Sequence, residues 1–389
     1  MTQPALLPAD KPRLVALDAF RGFTMLAMVL VNNPGSWTHI YAPLRHAPWN
    51  GLTPTDLIFP FFLFIVGVSF HVSAAKAIDS LGPLPWPKLL RRGLSLIAIG
   101  IVLNAFPFYP DFDPAHWRFT GVLQRIGLCF LLACAIIDLA RRLRVSLSLT
   151  LAVIVLAILL VYGLLIGSPP RDIDARLLRD FDLRFIHKGH LYRGSFIDPE
   201  GLLATIPATA TVLLGVVASR LAPADSVASR RSLLRLLGWS ITIIACGGIL
   251  AELGLSALNK TLWSSSYTLF SAGVAGLFFA ALLALERQPS RRGLFNPRAC
   301  LALFVVPGRN AIILFVGSGI LARLLNLLVW ETPEGSLKPV KDHAFLFLST
   351  SGWIGDNPKL ASLTYAIATL VLWWGVLWVL HRRKIYLKL

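Results

Sequence analysis

Charged residues are scarce in this chain, 15% of 389 positions, against about 25% in an average soluble domain. That scarcity excludes an ordinary water-soluble fold. Acids are scarcer than bases, 20 against 37. There are only four cysteines, Cys129, Cys134, Cys246 and Cys300, in or beside apolar segments and without metal-ligand spacing. They read as small core residues, and neither a disulfide framework nor a metal centre is expected. No basic amphipathic stripe and no nucleic-acid fold signature accompanies the net charge of +17, so nucleic acid is not an expected partner. No internal repeat is visible, direct or inverted, which weighs against a repeat-built transporter. The first apolar run continues to Val31 without an A-x-A-like site after a short core, so it is read as an uncleaved first span.

What the chain has in abundance is apolar length. Hydrophobic residues make up 56%, the mean hydropathy is +0.68, and several runs reach the ~20 residues needed to cross the hydrocarbon of a bilayer as a helix. The expected fold is all-α, a polytopic transmembrane helix bundle. About ten spans are predicted, near 14–33, 54–75, 88–107, 119–140, 145–167, 201–222, 232–256, 265–286, 307–329 and 361–381.

Alternate connections differ sharply in charge. Lys11 and Arg13 begin one set, which continues through Lys76, Lys88, Arg91 and Arg92, then Arg141, Arg142 and Arg144. Arg220, Arg230, Arg231 and Arg235 follow, then Arg287, Arg291, Arg292 and Arg298, and finally HRRKIYLKL. This set holds more than half of the 37 bases. The other connections, 34–53, 108–118, 168–200, 257–264 and 330–360, offset their bases with acids. By the positive-inside rule both termini are cytoplasmic and the 34–53 loop faces outside. The long loops 168–200 and 330–360 are expected to cap the outer mouth.

Polar residues near apolar spans call for a reason, because each costs free energy unless paired or wet. The densest group lies between Val31 and Gly67, where His39, Arg45, His46 and Asn50 precede Asp56. In LTPTDLIFP, Thr53 suits an N-cap, Pro54 the first helical position, and Asp56 the acid of a capping box. Capping alone would explain that carboxylate. It can equally orient an imidazole from the preceding loop, as the partner of a catalytic base does. His46, in RHAPWNG, suits a buried loop, and His39 is its rival. Asn32 offers an amide to a carbonyl or an oxyanion; its plainer role is a helix C-cap, a duty Asn33 can also perform.

Elsewhere, Asp18 and Arg21 have the i,i+3 spacing of an ion pair. Gln124 and Arg125 lie inside the fourth span, where Arg125 could neutralise an acid such as Asp56. PGRN, 307–310, is placed at the opening of the ninth span, with Arg309 and Asn310 suited to a phosphate or to lipid headgroups. Asp198 and Glu200 before the sixth span, and Asn259, Lys260, Ser265 and Ser266 before the eighth, are further outer polar groups, each equally suited to capping. An acid–base cluster outside and phosphate-binding groups inside suit one long ligand, phosphorylated at one end and reactive at the other. Coenzyme A has that form.

LDAFRGFTMLAMVLVNN, HAPWNGLTPTDLIFPFFLFIVGVS, GVLQRIG, DPEGLLATIPATATVLLG, NKTLWSSSYTLFSAG and GRNAI together resemble the heparan-α-glucosaminide N-acetyltransferase family of transmembrane acetyltransferases, more closely its bacterial, NagX-type members. The resemblance runs from Leu17 to Ile312. It implies a single transmembrane acyltransferase domain over 1–389, in a bacterial inner membrane, without the lumenal N-terminal domain and extra first span of the animal enzyme. It implies transfer of an acetyl group from cytoplasmic acetyl-CoA, with no metal, to a sugar, amino-sugar or glycan acceptor on the periplasmic side. His46 is the histidine it marks as catalytic, with Asp56 and Asn32. Asp18, Arg21, Gln124, Arg125, Arg309 and Asn310 are expected to meet the cofactor. Trp49, Asn50, Glu200, Lys260, Ser265 and Ser266 are expected to meet the acceptor. Membrane lipid and a second copy in a homodimer are the other expected partners. A membrane transporter for a sugar or related metabolite is the alternative from another class, and an accessory subunit without activity a third.

Overall fold

The computed structural model describes residues 14–108, 112–143, 145–167, 172–192, 196–223, 229–288, 297–331, 335–351, 354 and 357–387. Lys11, Arg13, Arg144, Arg291, Arg292 and Lys388 of the basic set, and parts of the 108–118, 168–200 and 330–360 connections, lie outside the described residues.

Helices occupy all ten predicted segments: α1 (Val15–Asn32), α2 (Ile58–Asp79), α3 (Trp86–Ala105), α4 (Val122–Arg142) and α5 (Leu147–Ile166) come first. A short polar helix, α6 (Asp172–Phe185), precedes α7 (Thr205–Leu221), α8 (Arg230–Glu252) and α9 (Ser265–Arg287). Then come α10 (Pro297–Arg309), α11 (Ala311–Leu327), α12 (Val340–Thr350) and α13 (Pro358–Arg382). A two-stranded antiparallel ribbon, β1 (Val329–Glu331) with β2 (Leu337–Pro339), leads into α12. The fold is an all-α bundle, and the chain is a multi-pass membrane protein.

By length and composition, seven helices among the described residues are fit to cross a membrane, or eight if the bent pair α10–α11 is one span. The two other expected spans fall short for visible reasons. α3 carries Lys88, Arg91 and Arg92 in its first turns, and α7 has only 17 residues. PGRN does not open a span. It closes α10, and the chain bends by 74° before α11 begins at Ala311. Pro307, which has no N–H to give and crowds the preceding turn, stands just before the break. The long outer connections are built, with α6 in one and the ribbon and α12 in the other.

The centre of the bundle is α1, α2, α7 and α9, with α4 and α5 packed around them in one apolar cluster. Two-thirds of the apolar stretch of α2, 67%, is buried within the chain, against 11% for α13. A face as apolar and as open as that of α13 suits lipid rather than water. Central helices approach closely through glycine. A Cβ on Gly67 would lie 1.9 Å from the Val212 carbonyl of α7, and one on Gly308 would lie 1.9 Å from the Asp18 carbonyl of α1.

Helix ends sort to two ends of the bundle. The start of α1 is closed by Glu286, whose oxygens accept the Val15 and Ala16 N–H groups at 3.0 and 2.8 Å. An acid there satisfies orphan donors and favours the helix dipole. Near that end Arg220 of α7 pairs with Asp79 of α2 at 3.0 Å. The opposite end gathers the last turn of α1, the 34–57 segment, and the starts of α4, α7 and α9.

Candidate active site

The chain enters α2 through a 3-10 turn, Pro54–Leu57, begun by the Thr53–Asp56 capping box expected from the sequence. Asp56 Oδ2 accepts from Thr53 N at 3.1 Å, and also from Ala47 N at 3.0 Å and Thr53 Oγ1 at 2.9 Å. Its second oxygen is thereby left for a ring. His46 Nδ1 lies 2.7 Å from Asp56 Oδ1. The capping and catalytic readings of Asp56 are therefore compatible, one for each carboxylate oxygen.

The carboxylate side chain is 1% exposed and the imidazole 51%. The sequence suggested a buried loop; the structure instead presents His46 at a surface with only its orienting partner submerged. A carboxylate accepts only, so Nδ1 carries the proton and Nε2 keeps its lone pair. His39 is elsewhere, stacked at 6.1 Å on Phe345 of α12. Geometry thus separates the two histidines where composition did not.

A second loop, 257–264, is pressed against the first. Gly51, at φ +114°, donates its N–H to Leu258 O at 2.8 Å, and Asn259 Nδ2 donates to Asn50 Oδ1 at 3.1 Å. Asn259 is fully buried, and its Oδ1 accepts from Leu262 N at 2.9 Å. Trp263 holds a left-handed backbone, φ +52°, fixed by Phe59 and Tyr267 edge-on and by a 3.2 Å bond from Nε1 to Thr211 Oγ1. Tyr267 in turn donates to the Asp56 carbonyl at 2.6 Å.

Lys260 projects from this loop onto His46. Its Nζ is 3.1 Å from Nδ1, 3.3 Å from Nε2 and 3.8 Å from Asp56 Oδ1. Burial lowers the Lys260 pKa; Asp56 and Glu200 oppose that, and Arg125 reinforces it. Ser265 and Ser266 give their hydroxyls to backbone carbonyls, Leu159 at 2.7 Å and Ala257 at 2.9 Å, and so tie the loop to α5 and to itself. Trp49 is half-buried against the core cluster.

Asn33 caps α1, its Nδ2 donating to Val29 O at 2.8 Å, which leaves Asn32 to line a cavity of about 600 Å³. Gln124 and Arg118 line it too, as do Asn104, Arg323 and Lys341. Arg118 binds Asp198 at 2.8 Å and Glu200 at 2.6 Å. Burial opposes its charge, but Glu200 and Asp198 outweigh that and raise its pKa. Asp198 also lines a second cavity, about 660 Å³, under α6.

Arg125 does not neutralise Asp56. Its Nη2 donates to Gly201 O at 2.9 Å, its guanidinium lies 5.5 Å from the Trp263 ring, and Nε and Nη1 are buried without partners among the described residues. Lys260 and His46 hold Asp56 instead. On the far side of Gly201, Asp182 accepts from Leu202 N at 2.8 Å, and burial raises its pKa to about 6.

At the opposite end, Arg21 bonds Asp18 at 3.2 Å, the expected i,i+3 pair, and Ser69 at 2.9 Å. Arg309 donates to Tyr386 Oη at 3.2 Å. Asn310 donates to Ile385 O at 2.9 Å and accepts from Leu387 N at 3.2 Å. These groups fasten α10 to α13's tail and α1 to α2. Cys129 and Cys134 are buried as expected, whereas Cys246 faces outward. Among the described residues no metal-holding group occurs. The sequence did not single out Arg118, Tyr267, Arg323 or Lys341; it marks Asn259 only as an outer polar group before an apolar run.

Residues 13–249 match the family model described as "Heparan-alpha-glucosaminide N-acetyltransferase, catalytic". The whole chain also aligns with the human protein named heparan-alpha-glucosaminide N-acetyltransferase, at 28% identity over 449 aligned positions, and with the mouse protein of that name at 27% over 447. In both cases the alignment takes in 100% of this chain and 62% of the relative, so the chain spans a little over three-fifths of their length.

Proposed function

The chain belongs to the heparan-α-glucosaminide N-acetyltransferase catalytic family, and from that membership we propose that it is a transmembrane acetyltransferase using acetyl-CoA. The acceptor is a sugar, amino sugar or glycan, met on the periplasmic side of a bacterial inner membrane, with both termini in the cytoplasm. The observation that carries the proposal is the His46–Asp56 pair, 2.7 Å apart, with Nε2 unclaimed by the carboxylate and the ring half in solvent.

In this mechanism Asp56 fixes the tautomer and stabilises the imidazolium that forms. Nε2 takes the proton of the acceptor amine or hydroxyl as that atom adds to the thioester carbonyl, or Nε2 itself carries the acetyl group between two half-reactions. Asn32, facing the cavity of about 600 Å³, polarises the carbonyl or donates to the oxyanion. Gln124, in the same cavity wall, and Arg125, with two donors to spare, contact the pantetheine arm. Arg21 and Arg309, with Asp18 and Asn310 beside them, serve the nucleotide by exchanging internal bonds for phosphate oxygens. Trp49, Asn50 and Glu200 contact the acceptor, while Ser265 and Ser266 hold the loop that faces it.

The test follows release of CoA from acetyl-CoA by purified protein in nanodiscs, with glucosamine and short amino-sugar oligomers as acceptors, wild type beside His46→Ala. Release by wild type, with the variant slower by about 10²–10⁴-fold, is expected. Sugar binding without any turnover or binding of acetyl-CoA would overturn the proposal in favour of a transporter.

A further inference from the structure

We propose that Lys260 is the general acid of the transfer, protonating the sulfur that leaves while His46 takes the proton of the acceptor, and that the contact between the two residues returns the proton after each cycle. This rests on the acetyl-transfer function proposed above.

The first support is the hydrogen-bond inventory. Asp56 Oδ1 claims the His46 Nδ1 proton, and Oδ2 is filled by Ala47 N, Thr53 N and Thr53 Oγ1. Lys260 has only a long approach to that carboxylate, 3.8 Å, yet lies 3.1 Å from Nδ1 and 3.3 Å from Nε2. An ammonium held only for its charge would sit on the acid. This one sits against the ring, beside the nitrogen that must meet the acceptor.

The second support is the loop that carries it. The backbone around Lys260 is fixed from both sides by Asn259, Gly51, Ser264 and Tyr162, the last donating to Leu262 O at 2.6 Å. The side chain itself is a quarter exposed. A rigid base with an accessible tip is what proton delivery to a bound thioester needs.

The third support is chemistry. A thioester loses a thiolate, which must gain a proton. An ordinary lysine is a slightly weaker acid than a thiol, and burial brings Lys260 toward the match that general acid catalysis favours.

The steps balance. The acceptor nitrogen or oxygen bonds to the acetyl carbon as Nε2 takes its proton. The tetrahedral oxyanion then collapses, the C–S bond breaks, and sulfur leaves with the Lys260 proton as the thiol. That leaves an imidazolium beside a neutral amine. Once the products have left, a small swing of the lysine side chain brings Nζ, 3.3 Å from Nε2, into line with the Nε2–H bond, and the proton passes to it and restores both groups.

The experiment compares two acyl donors in nanodiscs, acetyl-CoA and the acetyl thioester of 4-nitrothiophenol, whose thiolate needs no proton to depart. Lys260→Met is expected to lose about 10²–10⁴-fold in kcat/KM with acetyl-CoA and far less with the activated donor. Lys260→Arg keeps the charge but holds its proton too tightly, and is expected to be as deficient with acetyl-CoA. Methylamine is expected to restore Lys260→Ala on acetyl-CoA. Equal losses on both donors, or full activity of Lys260→Arg, would reduce Lys260 to positioning or charge and overturn the assignment. Wild type inactive on both donors would overturn the acetyltransferase function itself.

Discussion

The two ends of the bundle use the same polar residue types to opposite effect. Where α1 begins, the charged groups are mostly spent on one another, although Arg309 Nε is buried without a partner among the described residues. Asp138 accepts from Trp86 Nε1 at 3.2 Å, from Arg142 at 3.0 Å and from Arg141, whose remaining nitrogen caps the Ala77 and Gly82 carbonyls. Where α1 ends, capacity is left over. His46 has a nitrogen unclaimed by Asp56, Lys260 leans on its ring, Arg125 keeps two buried donors unmatched among the described residues, and Asn32 faces a cavity. Saturated buried networks rigidify a fold. Unsaturated ones hold free energy that a ligand can release, and their place is a functional site.

That contrast implies that substitutions at the two ends will separate rate from stability. The largest effect is expected for Asp56→Asn, which keeps an acceptor but loses the charge that stabilises the imidazolium. Turnover should fall by about 10²–10⁴-fold with a modest change in melting temperature, read by CoA release and by thermal unfolding in nanodiscs. Asp138→Ala should do the reverse. Stripping two arginines of their buried partner costs about 3–5 kcal/mol, so the melting temperature should drop while activity per folded molecule stays.

Asp182 gives an intermediate case with a pH signature. Its carboxyl titrates near 6, above the ordinary 3.8, because it is buried and lies near Asp198. A raised carboxyl favours the folded state while protonated, so this contribution is full below about pH 4 and is lost as pH rises through 6. Asp182→Asn should remove that loss, a relative gain on the order of 2–3 kcal/mol at alkaline pH, seen as a flatter plot of melting temperature against pH. Smallest is Thr53→Ala. Losing a cap hydroxyl costs roughly 1 kcal/mol, and the Asp56 bond to the Thr53 backbone survives to hold the dyad.

What was legible in the sequence was local or periodic. Apolar runs gave the helices, and the Thr53–Pro54–Asp56 spacing gave the turn that places the carboxylate, because both depend on neighbours in the chain. His46 lies only ten residues from its partner, yet the residues alone left His39 as its rival, and only the fold sets one against Asp56 and the other on Phe345. Lys260 was legible only as a polar group before an apolar run, since its meaning depends on a loop more than two hundred residues away. Arg125 misled for the same reason. Its depth in the fourth span was plain, but its bond to Gly201 needed the packing of α4 on α7. The junction at 307–310 failed differently: a proline reads equally well as a helix start and as the break it proves to be.

The separations of 10 and 214 residues within one site have a consequence for biogenesis. His46 and Asp56 close a short loop, at little entropic cost, as soon as the second helix leaves the ribosome. Lys260 cannot join them until eight helices have been made and docked. A half-made chain in the membrane therefore holds the His46–Asp56 pair without Lys260. In the mechanism proposed above, the site is complete only once the C-terminal half has docked.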